Sequence, residues 1–89
     1  MPQAIVDPDD LREFAANLKR YNELVSDATA TLQSQFAQLG ETWRDQEQVK
    51  FASEFEDTVR AIHQFHEASE QHIPFLERKA EEIDQYLDR

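Results

Sequence analysis

Apolar residues recur along the first half of the chain at intervals that place them on one face of a helix. They follow each other at steps of seven residues: Leu11, Leu18, Val25, Leu32 and Leu39. Seven residues make almost two turns of α-helix, so these side chains form one stripe. The stripe predicts a first helix from about residue 8 to about residue 40.

Both ends of this predicted helix carry residues that are typical of helix caps. Asp7 can accept backbone hydrogen bonds as the N-cap, and Pro8 suits the first helical position because its missing N–H would have no partner there. Gly40, the single glycine of the sequence, stands where the stripe stops. It is therefore predicted to close the helix in a left-handed conformation.

The second half of the chain repeats more regularly, with alternating spacings of three and four residues. The repeating positions are Ala52, Phe55, Val59, Ile62, His66, Ser69, Ile73, Leu76, Ala80, Ile83 and Leu87. This pattern predicts a second helix over about residues 47–87. Because the stripe keeps its phase across Pro74, a kinked continuous helix is favoured, with a break at the proline as the alternative.

A short bend at residues 41–46 joins the two predicted helices, which makes them antiparallel neighbours. The sequence thus predicts an all-α protein with a single helical-hairpin domain over residues 1–89. In this hairpin His66 faces Tyr21, and with Ser69 these residues form a polar layer in the apolar seam. Such a layer usually sets the register of the helices, and a pH-sensitive assembly controlled by His66 is the alternative.

The phenylalanines provide more apolar surface than the seam of two helices can bury. They are the interface candidates: Phe14, Phe36, Phe51, Phe55, Phe65 and Phe75. A second hairpin that covers them would complete a four-helix bundle. The sequence therefore predicts a dimer, with a second copy as the default partner and a related helical protein as the alternative.

Composition and charge exclude several classes of function. With 19 acidic against 9 basic side chains the net charge is −10, which argues against nucleic acid or an anionic membrane as the ligand. There is no cysteine for a thiolate site. No apolar run approaches the ~18 residues of a membrane span, and the N-terminus lacks the pattern of a leader peptide. The chain is expected to be made in the cytoplasm without a leader and not to insert into a membrane.

The histidines of the second helix are the candidate metal ligands. His63, Glu67 and Glu70 share one helical face, but the Glu-x-x-His motif of di-iron bundles is missing. The serines lie within helical runs and form no recognisable arrangement of nucleophile and base. The sequence therefore predicts no metal site, no cofactor, no small-molecule substrate and no enzymatic activity.

The predicted bend carries the residues Trp43-Arg44-Asp45, and an aromatic residue, Phe51, follows eight positions after the tryptophan. Together with the two long helices, these residues resemble the WXG-type family, the early-secretory-antigen-like helical hairpins of type VII secretion. The resemblance runs from about Val6 to Leu87. It implies a small protein that dimerises and is secreted as a substrate or a co-exported partner. For Trp43 it implies a recognition role, while packing at the end of the bundle is the simpler interpretation.

The chain departs from the family pattern at two points. Asp45 stands where the family has glycine, which an aspartate can replace if the residue acts as a helix N-cap. The family export signal is a tyrosine followed four residues later by an acid, and after Tyr86 the sequence stops one residue short, at Arg89. The signal is thus incomplete, and export is expected if a partner chain carries it. The alternative is a cytoplasmic helical adaptor or chaperone that binds another helical protein without being exported.

Overall fold

The computed structural model describes residues 6–87, which form two long antiparallel helices. Helix α1 spans Pro8–Leu39 and helix α2 spans Gln46–Leu87. The hairpin measures 66 × 25 × 15 Å, and residues 6–87 contain no strand. The predicted all-α helical hairpin is confirmed. Two predictions concern residues outside this range. The export signal would end at the last residues of the chain, and most of the segment considered for a leader peptide precedes residue 6.

The start of α1 is held by an aspartate cap. The Oδ1 atom of Asp7 accepts a hydrogen bond of 2.9 Å from the N–H of Asp9, and its backbone carbonyl accepts one of 3.2 Å from Leu11. Pro8 occupies the first turn, where no N–H is needed. Asp9 and Asp10 add negative charge at the positive end of the helix dipole. The local sequence therefore determines where α1 begins.

The bend after α1 is built without any left-handed residue, so the prediction for Gly40 is wrong. Gly40 has φ −65° and ψ −13°, in the right-handed region. The chain instead tightens, because the N–H of Glu41 donates to Gln38 (3.1 Å) and that of Thr42 to Leu39 (3.2 Å). These bonds span three residues and satisfy the last carbonyls of α1, so a left-handed closure is not needed.

The start of α2 is also capped by an aspartate. The Oδ1 atom of Asp45 accepts a bond of 3.0 Å from the N–H of Gln48, and its carbonyl accepts one of 3.4 Å from Val49. The preceding Arg44 donates from Nε to the carbonyl of Gly40 at 3.3 Å, across the bend. An acid thus stands at position 45 because α2 needs a cap there.

Helix α2 continues through Pro74 without interruption. A proline in a helix releases the carbonyl one turn before it, which here belongs to Glu70. Glu70 and Pro74 are both exposed, so water can reach the released carbonyl. The neighbouring Ile73 is only 4% exposed and keeps this part of α2 packed on α1.

The seam between the helices is narrow and uses small or polar side chains in its centre. The buried residues are Pro8, Ala15, Asn22 and Thr29 of α1 and Val59, Ser69, Ile73 and Ala80 of α2. The stripe at steps of seven residues lies beside this line: Leu11, Leu18 and Val25 are half-buried, while Leu32 and Leu39 near the bend are 54% and 49% exposed. Small side chains in the seam let two helices approach closely, and the larger side chains beside it are then only partly covered.

Candidate interaction surface

One side of the hairpin carries large apolar side chains that the two helices leave half exposed. We call this side the apolar face and define it by Phe14, Tyr21, Leu32, Leu39, Phe51 and Phe65. The exposed fraction of these residues runs from 46% for Phe51 to 58% for Phe14. Large apolar side chains that are exposed together on one side of a small protein mark an interaction site.

Contacts between the helices show that these residues lie on the same side. The ring of Tyr21 in α1 meets the ring of Phe65 in α2 edge-on, with centroids 6.0 Å apart. Phe14 precedes Tyr21 by seven residues, almost two turns, and so continues the same side toward the start of α1. The apolar face therefore includes both helices.

At the bend the apolar face opens into a groove of about 620 Å³. It is lined by Leu32, Phe36, Leu39, Phe51 and Phe55 together with the polar residues Gln35, Gln38 and Thr42. The ring of Phe36 lies 5.6 Å from that of Phe51 and 5.2 Å from that of Phe55. The concave shape and the mostly apolar lining of this groove suit an apolar side chain of a partner.

Trp43, the first residue of the predicted bend motif, packs on this groove from the end of the hairpin. Its ring lies 6.0 Å from Phe51 and is tilted by 45°, and the residue is half-buried. We call Phe36, Trp43, Phe51 and Phe55 the aromatic cluster. Within the bend motif, Trp43 thus supplies an apolar contact, while Arg44 and Asp45 bond to the backbone.

Phe75 lies beside the apolar face rather than on it. It follows Phe65 by ten residues, which turns it about 80° around α2. Its ring is 53% exposed, and the guanidinium carbon of Arg78 lies 5.7 Å from the ring centroid. Among the six candidate phenylalanines, Phe75 therefore has the surroundings of a surface residue.

The residues predicted to form a polar layer occupy different environments. Ser69 is 2% exposed and donates a bond of 2.8 Å to the carbonyl of Phe65, one turn earlier. His66 is half-buried, with Nε2 3.9 Å from Oε1 of Glu70. Tyr21 is 51% exposed and contacts Phe65, so the phenol lies on the apolar face.

Two buried polar residues of the seam were not among the sequence candidates. Asn22 is 3% and Thr29 is 6% exposed. Both belong with Ala15 to a series at steps of seven residues, three positions before the leucine stripe. This periodicity was a usable signal, because small and polar residues at heptad positions allow close approach of two helices.

The surroundings of the apolar face are almost free of charge. Positions three or four residues from a member of the face are its neighbours on the helix surface. Among these positions only Asp10, Glu47 and Glu54 carry a charge. The others include polar uncharged or small residues such as Asn17 and Ala61. The strong negative charge of the chain is therefore concentrated away from this surface.

The open end of the hairpin is held by one arginine. Nη2 of Arg12 in α1 bonds to Oδ2 of Asp84 and lies 3.5 Å from Oε2 of Glu81, both in α2. Nη1 lies 3.4 Å from Oδ1 of Asp9. The hydrogen bond that Arg12 donates to Asp84 is the main cause that raises the pKa of Arg12. Burial acts in the opposite direction, and the negative charges of Asp84, Asp9 and Glu81 raise the pKa by smaller amounts. Within residues 6–87, the ion pairs between the two helices all use this guanidinium.

The part of the chain that the structure describes offers no ready metal centre. Within residues 6–87, no three His, Asp or Glu side chains are placed so that they could hold a metal ion together. Neither described helix is long and apolar enough to cross a membrane.

Comparison with known proteins supports the resemblance seen at the bend. The family model WXG100, described as proteins of 100 residues with WXG, matches residues 3–86. A crystal structure of a mutant of the secreted protein EsxB from Bacillus anthracis str. Sterne is similar, with a TM-score of 0.75, 24% sequence identity, and coverage of 94% of this chain and 97% of that chain. No curated protein matches the sequence. The resemblance is confirmed, and the chain belongs to the WXG100 family of small helical proteins associated with type VII secretion.

Proposed function

We propose that this protein is a non-enzymatic partner protein of a type VII secretion system. It acts by pairing through the apolar face with a second copy, which completes a four-helix bundle. In this form it is secreted as a substrate or exported together with a partner. The apolar face with its nearly uncharged surroundings is the observation that carries the proposal.

The charge distribution favours a second copy as the occupant of the apolar face. Two chains with a net charge of −10 each repel one another at long range. Since the neighbours of the face carry a charge only at Asp10, Glu47 and Glu54, most of the acids stay outside the contact and in water. Water and salt screen charges at such distances, so the repulsion is small beside the apolar contact.

The energetics also favour association. Fully burying a large apolar side chain contributes about 1.5–3 kcal/mol, so covering its exposed half contributes roughly 1 kcal/mol. Each copy brings six such side chains to the contact. The groove at the bend adds a concave site, which a protruding apolar side chain can fill.

The test is the mass in solution, measured by light scattering on a sizing column over a range of protein concentrations. The unmodified chain is expected to have the mass of two chains. Phe65→Glu places a charge in the middle of the apolar face and is expected to give the mass of one chain. Phe75→Glu makes the same change beside the face and is expected to leave the mass of two chains.

Helix content from circular dichroism accompanies each sample, because Phe65 also contacts Tyr21 within the hairpin. If Phe65→Glu loses its helices, Leu39→Glu replaces it as the variant on the face. A single-chain mass for the unmodified protein would contradict pairing with itself and indicate a different helical partner. Equal effects of the variants at 65 and 75 would contradict the assignment of the face.

Export requires its own experiment. Tyr86, at the end of α2, is 74% exposed and is available for recognition. We expect the protein in the culture medium of its native host, and only inside cells when the membrane-bound secretion ATPase is deleted. Detection only inside cells of a host with an active system would contradict export and favour the adaptor alternative.

A further inference from the structure

The middle of the seam contains a polar side chain whose hydrogen-bonding need the protein does not meet. Asn22 is 3% exposed, and its Nδ2 atom has no partner among the residues that the structure describes. A buried N–H without an acceptor is costly, so such groups are nearly always paired with protein or ordered water. The amide of Asn22 therefore needs an acceptor in its immediate surroundings.

A small cavity is lined by Asn22. It has a volume of about 20 Å³, and one water molecule needs roughly 10–15 Å³ of such space. Five of the side chains that line it carry a polar atom: Asn22, Ser26, Thr29, His63 and His66. Apolar side chains of both helices complete the wall: Val25, Ile62 and Phe65. The space is thus too small for an organic ligand and polar enough for water.

We propose that this cavity is a binding site for one ordered water molecule that links α1 to α2. The water accepts a hydrogen bond from Nδ2 of Asn22 in α1. It donates its own hydrogens to acceptors on the same wall, which are the hydroxyls of α1 and the imidazoles of α2. A buried water normally makes about three hydrogen bonds, and this cavity supplies that number.

The bound water accounts for a polar centre in a seam between two amphipathic helices. Without it, the unpaired amide of Asn22 would weaken the hairpin. With it, the amide is satisfied only when Asn22 lies opposite His66, so the water also selects this register of α1 against α2. A shift by one turn would leave the amide without its bridge.

The site is tested on the unmodified protein by NMR. Nuclear and rotating-frame Overhauser effects between water and side-chain amide protons distinguish a water that stays bound from one that exchanges quickly. Asn17 is the matched control: it is an exposed asparagine of the same helix, and its Oδ1 accepts a bond of 2.8 Å from Arg20. Signals of a long-lived water are expected at the Asn22 amide and not at the Asn17 amide. Equal behaviour of the two amides would overturn the proposal.

Hydroxyl protons near the amide exchange with solvent and can imitate a bound water in the NMR spectra. A crystal structure is free of this effect and gives an independent readout. A water peak is expected about 2.7–3.2 Å from Nδ2 of Asn22. A dry cavity, or an amide bonded directly to a protein oxygen, would overturn the proposal even if the NMR signals were present. Asn22→Leu places a larger, apolar side chain at the cavity, and the water peak is expected to be missing from the crystal structure of that variant.

Discussion

The two ends of the hairpin are held together by different forces. At the bend, the aromatic cluster packs four rings with neighbouring centroids 5.2–6.1 Å apart, next to a short covalent connection. At the open end, the guanidinium of Arg12 joins the helices through Asp84 and Glu81. Apolar contacts do not depend on ionic strength in the way that exposed ion pairs do. The hairpin therefore has one end that is insensitive to salt and one that responds to it.

This difference also separates the tasks of the two ends. Two rings of the aromatic cluster, Phe36 and Phe55, contribute to the seam, while Phe51 belongs to the apolar face, so changes there affect both folding and pairing. Arg12 contributes to holding the end of α2 and lies outside the apolar face. Variants of the aromatic cluster should consequently change both folding and pairing, whereas variants of Arg12 should change only how firmly the end of α2 is held.

The largest effect is expected from Phe55→Ala, which removes the ring that contacts both Phe36 and Phe51. Phe→Ala in a full core costs about 3–5 kcal/mol, and this half-buried site should cost roughly 2–3 kcal/mol of unfolding free energy. Urea unfolding at one fixed protein concentration measures it. Phe75→Ala is the control, with little expected change, and equal losses for both variants would contradict the role of the cluster.

A smaller effect is expected at the cap of α2. Asp45→Ala removes the acceptor for the N–H of Gln48 and should lower the free energy of unfolding by about 1 kcal/mol. Asp45→Asn keeps an acceptor and should change it little. Thermal unfolding compares the two variants. If alanine and asparagine behave alike, the cap does not stabilise the bend end.

Replacing the glycine of the bend should stabilise the protein slightly. Gly40 has a right-handed conformation, and a Cβ there would lie 3.4 Å from the carbonyl oxygen of Ala37, an ordinary contact. Gly40→Ala restricts the unfolded chain and should raise the free energy of unfolding by about 0.4–1 kcal/mol. Thermal unfolding measures this as well. A clear loss of stability would indicate a left-handed residue in solution.

The most local effect is expected at the open end. Arg12→Met keeps the apolar stem and removes the charge, so amide hydrogen exchange should become faster in residues 81–87 and stay unchanged near the aromatic cluster. At about 1 M salt, the screening length is roughly 3 Å. Salt at this concentration should also make hydrogen exchange in residues 81–87 of the unmodified protein faster, and it should not change the exchange of the Arg12→Met variant any further.

Arg60→Met provides the control, because among the described residues Arg60 pairs only with Glu56 and Asp57 of its own helix. A change of pH within the neutral range should not weaken the ion pairs of Arg12. The pKa of Arg12 is raised above the already high value of an ordinary arginine, so the contribution of its charge is complete throughout the neutral range and is lost only in strong base. Loss of protection in both arginine variants alike would contradict a specific contact at the open end.

The helical hairpin could be predicted from the sequence because its signals are local and agree with one another. Heptad spacing, the cap at Asp7 and the short bend each point to two antiparallel helices. The conformation of Gly40 could not be predicted in the same way. A helix can end with a left-handed residue or with tighter turns, and the choice depends on where the next helix must start.

The position of the seam was harder to predict than the helices themselves. A wide apolar stripe shows that a face is covered, but not which edge meets the second helix and which is left for a partner. The structure places Ala15, Asn22 and Thr29 in the seam and leaves Phe14 and Tyr21 half exposed. The largest apolar residues were therefore a guide to the candidate interaction surface rather than to the interior.

The short bend also has a consequence for the order in which the hairpin forms. The rings of Phe36 and Phe51 are close along the chain, so bringing them together closes only a small loop and costs little entropy. Arg12 and Asp84 are 72 residues apart, and their contact becomes inexpensive only after the intervening turns have aligned. Folding should thus begin at the bend, and the two helices should then pair progressively toward the termini.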